Sequence, residues 1–167
     1  MLGYTLIVRA VLLVALAALL EVALSPLLTF GWVGPRFVVL GVVIAAAGLR
    51  EFQALLLGFF GGVLVDALGG GVFGAGAFSG VFAAAVSVRA GITRRKGEVR
   101  FFLAQAVAIA TIGYDLLNLF ALNLASQSGP PVVSYFVGGV IPDVLLNAFL
   151  AYLVGSRLLR LITTKEE

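Results

Sequence analysis

Six apolar runs follow one another along this chain, and the breaks between them are mostly too short to build anything of their own. A helix needs about 20 apolar residues, ~17–25 in the usual range, to cross the hydrocarbon of a bilayer. The runs over 8–28, 37–49, 52–68, 72–88, 101–124 and 134–161 reach or approach that length. They predict an all-α integral membrane protein, a compact bundle of about six transmembrane helices forming one domain over 1–167. Composition closes off the aqueous alternative. The chain is 62% hydrophobic and 11% charged, against about 45–50% and about 25% in a soluble domain. With so little polar surface, the solvent for most of the chain must be lipid.

The breaks are legible as punctuation. Ser25-Pro26 ends the first run, and Gly31, Trp32, Gly34 and Pro35 form a short loop in which Trp32 suits the water–lipid boundary. Arg50-Glu51 separates the second and third runs, Ser126 to Pro131 is a turn-forming loop, and Pro142 interrupts the last run. The second and third runs are short, so a re-entrant pair, with five or four full crossings, is also compatible with the pattern. Charge favours six. With the N-terminus inside, Arg9, Arg50, Arg89, Arg94, Arg95, Lys96, Arg100, Arg157, Arg160 and Lys165 all fall on the inner side, and only Arg36 falls outside. That asymmetry satisfies the positive-inside rule and puts both termini in the cytoplasm. A net charge of +3 and basic residues set between apolar runs speak for topology rather than nucleic-acid binding. Ala23-Leu24-Ser25 loosely resembles a signal-peptide cleavage site, but the long run, Glu21 and the later spans favour an uncleaved first helix.

Two features stand out inside the runs. Nine glycines lie between Gly58 and Gly80, and Gly58/Gly62, Gly70/Gly74 and Gly76/Gly80 are each spaced to share a helix face. Lipid gives helices no hydrophobic reason to pair, so small residues that permit close approach matter more. The face serves either packing of the third helix on the fourth or docking of a partner helix; Gly69-Gly70-Gly71 is expected to be the tight turn between them. The second feature is acidic. Glu21, Asp66, Asp115 and Asp143 lie in or at the edges of apolar runs, with no Lys or Arg inside a span to pair with them. An acid at mid-bilayer costs about 2.5–3.5 kcal/mol on insertion scales, which makes each one a functional candidate. The plainer roles are capping the turn after Asp66 and, for Asp143, satisfying amides freed by Pro142. Asp115 with Asn118, and Asp143 with Asn147, share helix faces and predict a polar network between the fifth and sixth helices.

Enzymatic readings find little footing. No Cys and no His occur, which removes thiol and imidazole chemistry and the usual zinc, haem and iron–sulfur ligands. Tyr114-Asp115 is similar to one signature of intramembrane aspartyl proteases, but their Gly-x-Gly-Asp is missing, since Asp143 follows Val140-Ile141-Pro142. There is no Gly-x-Ser-x-Gly and no phosphate-binding loop, and Gly74, Gly76 and Gly80 lack dinucleotide-loop spacing. The expectation is a protein without catalytic residues, cofactor or metal.

The stretch Gly58-Phe59-Phe60-Gly61-Gly62-Val63-Leu64-Val65-Asp66, followed by Gly70 and Gly74, resembles the MreD family of rod shape-determining proteins. That family shows Gly-Phe-x-x-Gly-Leu-x-x-Asp before a glycine-rich turn; Val63 stands here where Leu is usual. Pro142-Asp143-Val144-Leu145-Leu146-Asn147 likewise resembles the Pro-x-x-Leu-x-Asn run of that family's last helix. The resemblance implies a non-enzymatic, multi-pass subunit of the bacterial inner membrane, part of the cell-elongation complex. Its implied partner is MreC, with MreB, RodA and the associated transpeptidase reached directly or indirectly. Family-motif positions carried over as candidate partner contacts are Gly58, Phe59, Gly62, Asp66, Gly70, Gly74, Pro142 and Asn147. The basic loop of Arg89, Arg94, Arg95, Lys96 and Arg100 would face anionic lipid or a cytoplasmic partner, or simply set topology. A second resemblance is to the substrate-binding S subunits of energy-coupling-factor vitamin transporters, whose fold MreD is expected to share. The missing Ala-x-x-x-Ala surface on the first helix and the brief outer loops argue against transport. A scaffold of another envelope complex is the third reading.

Overall fold

The computed structural model describes residues 2–69, 72–94, 98–124 and 131–163. Helices account for nearly all of them, and among these described residues the only strand-like feature is one bridge between Phe30 and Val33. The elements are α1 (Leu2–Leu28), α2 (Phe37–Ala46), α3 (Glu51–Gly69), α4 (Ala75–Ala90), a 3₁₀ turn (Ile92–Arg94), α5 (Val99–Leu124) and α6 (Val132–Thr163). Four of these, α1, α3, α5 and α6, are long and apolar enough to cross a membrane, while α2 and α4 are shorter apolar helices. Their outward faces carry large apolar side chains such as Phe52, Phe78, Phe120 and Leu145, a surface that lipid can cover and water cannot.

The largest departure from expectation is α2. The apolar run continues to Leu49, but the helix ends at Ala46, where Gly48 and Leu49 donate to the carbonyls of Ala45 and Ala46 and tighten the chain into a turn. Ten residues make about 15 Å of helix, half of a hydrocarbon core about 30 Å thick. Nine of the ten, Val38 to Ala46, are buried, and α2 contacts α1, α3, α4, α5 and α6. A helix that is apolar on every side belongs inside a bundle, and α2 is the centre of this one. Around it Val42, Val43 and Ile44 pack with Val14, Ala83, Ala84, Leu103 and Val107 into the main core.

Two further boundaries move. α1 begins at Leu2, so Arg9 lies within the helix, and the helix runs through Pro26 to Leu28. The last run is interrupted less than expected. α6 makes a wide π turn over Phe136–Val140 just before Pro142 and another over Ala151–Gly155, yet it continues to Thr163. Pro142 lacks an amide; the wide turn before it shifts the hydrogen-bond register, so the helix is adjusted rather than broken.

α3 and α4 form an antiparallel hairpin whose contact is backbone on backbone. A Cβ placed on Gly58 would strike the Gly80 carbonyl, and one on Gly62 would strike the Gly76 carbonyl. The reciprocal additions, at Gly80 and Gly76, meet Gly58 and Asp66. The two small-residue pairs therefore lie in register, 58 against 80 and 62 against 76. Of the two uses open to this face, packing within the chain is the one realised. The expectation that Gly58 and Gly62 dock a partner helix is corrected, because α4 already fills that surface.

Candidate functional site

Asp66 closes the hairpin. It is buried at the end of α3, and its carboxylate accepts from Gly74 N at 2.8 Å, Gly76 N at 2.8 Å and Ala77 N at 3.1 Å. These are the amide of the residue that precedes α4 and two amides of its first turn, which have no partner inside the helix. A carboxylate there meets both the free donors and the positive end of the helix dipole. Gly74 is the residue preceding α4, with φ 99°, a conformation that favours glycine and leaves no local side chain to cap. The cap is therefore supplied from the neighbouring helix. Gly70 lies outside the described residues.

A second polar centre sits at the same end of the bundle, around Arg36. The guanidinium Nε donates to Asp143 Oδ2 at 2.9 Å and Nη2 donates to Asp115 Oδ1 at 3.3 Å. Its Cζ lies 5.1 Å from the centre of the Tyr114 ring, within cation–π range. Asp143 Oδ1 accepts from Gly34 N at 2.8 Å, while Asn147 accepts from Arg36 N at 2.7 Å and donates to the carbonyls of Gly34 at 3.3 Å and Asp143 at 2.8 Å. Nearby, Glu21 Oε2 accepts from Val38 N at 3.2 Å, and Ser25 Oγ donates to Pro35 O at 3.0 Å. Both aspartates and Asn147 are almost fully inaccessible, at 1%, 0% and 1% exposure, whereas the Arg36 side chain retains 20%. Two acids, from α5 and α6, thus hold one arginine from the loop between α1 and α2, with Glu21 of α1 bonded to the start of α2 beside them. Such a buried array holds only if each charge is met, and here the arginine binds α5 and α6 to that loop. Trp32, from the same loop, packs on Gly139 and stands edge-on to Tyr135 at 5.7 Å.

This arrangement corrects two expectations. The sequence offers these acids no Lys or Arg inside a span, yet Arg36, from the loop between α1 and α2, is the partner of Asp115 and Asp143. Asn118 was placed with Asp115 in the network, yet its side-chain amide donates to the Tyr114 carbonyl of its own helix at 2.9 Å. The network does link α5 to α6 through Asp115, Asp143 and Asn147, but Arg36 is the group that joins them. Sequence reasoning missed Arg36, Tyr114 and Gly34. The available signal was charge arithmetic: one cation beside several acids that had to be neutralised somewhere. Asp115 Oδ2 and Thr111 Oγ1 are buried without a hydrogen-bond partner among the described residues.

The remaining expected positions scatter. Phe59 is 44% exposed on the outward side of α3, edge-to-face with Phe60 at 5.5 Å. Pro142 follows the wide turn in α6. Arg89 is in the last turn of α4, Arg94 closes the 3₁₀ turn, and Arg100 donates from Nε to Ser156 Oγ at 3.2 Å; Arg95 and Lys96 lie outside the described residues. No cluster of three or more metal-ligating side chains occurs among the described residues. Comparison with protein-family models, with curated proteins and with solved structures finds no match to this chain.

Proposed function

We propose that this chain is a non-enzymatic inner-membrane subunit of the bacterial cell-elongation complex, similar to MreD, which binds MreC and helps couple cytoplasmic MreB to peptidoglycan synthesis by RodA and its transpeptidase. One observation supports the reading above others. The two segments that carry the resemblance each make a contact across the bundle: Asp66 caps α4, and Asn147 holds the backbone of residues 34 and 36. Their spacing is thus tied to tertiary roles rather than to hydropathy alone. With the glycine face occupied by α4, the outward part of the first motif is Phe59 beside Phe60, and a partner helix approaching α3 meets these rings.

The vitamin-transporter reading needs Asp115, Asn118, Asp143 and Asn147 to face a ligand. Three of them are buried and engaged with Arg36 or the 34–36 backbone, and the fourth bonds its own helix. Affinity purification from native membranes in mild detergent, followed by mass spectrometry, decides between the readings. Recovery of MreC, weakened by Phe59→Ala with Phe60→Ala in a chain that remains folded, is the expected result. Recovery of a coupling-factor subunit with two ATPases would replace it with vitamin uptake.

A further inference from the structure

At the end of the bundle opposite Arg36, the first turn of α5 and the last turns of α6 leave a crevice of about 640 Å³. Glu98, Arg100, Tyr152, Ser156, Leu159 and Arg160 are among the residues lining it. Two arginines from different helices converge there on one serine. Arg100 donates from Nε to Ser156 Oγ at 3.2 Å, and Arg160 donates from Nε to the Ser156 carbonyl at 3.3 Å. Each fork is thereby held near its base, and guanidinium forks match the oxygens of a phosphate.

We propose that this crevice binds the phosphate of an anionic phospholipid. The phosphate would sit against Arg100 and Arg160, with Tyr152 and Leu159 supplying a wall for the start of an acyl chain. Position selects a lipid over a soluble anion. The crevice lies where the apolar stretches of α5 and α6 begin and end, which is headgroup depth for a helix that crosses a bilayer. Phe101 and Leu153, both exposed close by, continue the apolar surface away from it. Among the described lining residues Glu98 works against the site, one acid beside Arg100 and Arg160, so the affinity is tunable in both directions.

The test is native mass spectrometry of the full chain in neutral detergent, titrated with phosphatidylglycerol or phosphatidylcholine. A basic residue near an anionic lipid contributes about a fivefold effect, so Arg100→Gln with Arg160→Gln should weaken phosphatidylglycerol retention by about thirtyfold. Glu98→Gln should strengthen it by about fivefold on the same basis, and phosphatidylcholine, whose phosphate is offset by its own ammonium, should respond less than phosphatidylglycerol to both variants. Equal phosphatidylglycerol retention by the folded double variant would overturn the proposal. So would displacement of the lipid by millimolar inorganic phosphate, which would make this a soluble-anion site. Should the double variant fail to fold, Glu98→Gln decides alone: retention that stays level or falls rejects the site.

Discussion

Where α3 meets α4, contact is made by leaving side chains out; where the 34–36 loop meets α5 and α6, it is made by putting charges in. Neither region relies on the hydrophobic effect, which in lipid does little to hold helices together. The glycine seam works through dispersion and close backbone approach, summed over four glycines in register. The Arg36 cluster works through charge compensation in a medium where an unmatched ion is costly. Their vulnerabilities are therefore opposite. The seam fails when an atom is added, and the cluster fails when one is removed.

Substitutions at five positions test that contrast. Gly62→Leu should have the largest effect, because its side chain meets the Gly76 backbone, which cannot move without parting α3 from α4; no folded, monodisperse protein should be recovered on size exclusion in detergent. Recovery of a stable Gly62→Leu protein would show the seam to be looser than described. Arg36→Gln leaves Asp115 and Asp143 buried without their cation and should cost about 3–5 kcal/mol in a detergent unfolding titration. Adding Asp143→Asn should return part of that loss, because one fewer charge then needs a partner. Asp66→Ala removes the cap on α4 and should cost about 1–2 kcal/mol, with Asp66→Asn falling between. Asn118→Ala removes only a bond within its own helix and should stay within about 0.5 kcal/mol of the parent. A larger loss would mean that Asn118 belongs to the cluster after all.

The helices and their apolar faces were readable because a bilayer imposes a length rule that runs such as 101–124 display openly. The Asp66 cap was readable too: an acid at the end of a helix, before a glycine-rich turn, has few other uses. α2 was misjudged because hydropathy does not distinguish a short helix enclosed by protein from a longer one facing lipid, and Ala47-Gly48-Leu49 extends the run without extending the helix. Arg36 was missed for a different reason. Its partners lie 79 and 107 residues away, so no periodicity links them, and Gly34-Pro35 beside it reads only as loop. Asn118 and Asn147 looked alike on spacing. What separates them is that Asn147 faces the chain segment entering α2, a matter of tertiary placement that helix geometry alone does not encode.

The brevity of α2 bears on the order in which this molecule can be completed. At both ends of α2 the backbone relies on groups borrowed from elsewhere. Glu21 of α1 accepts from Val38 N and Asn147 of α6 accepts from Arg36 N, while Ser87 of α4 donates to Val43 O and Thr93 of the 3₁₀ turn donates to Ala47 O. Left to itself in oil, such a segment would present naked amides and carbonyls at each end. It emerges second during synthesis, yet its last missing acceptor, on Asn147, is made more than a hundred residues later. Birth order and closing order are thus inverted: the central helix waits for the final one, and a chain stopped before α6 would hold every residue of α2 while the Arg36 amide at its entrance lacked its acceptor.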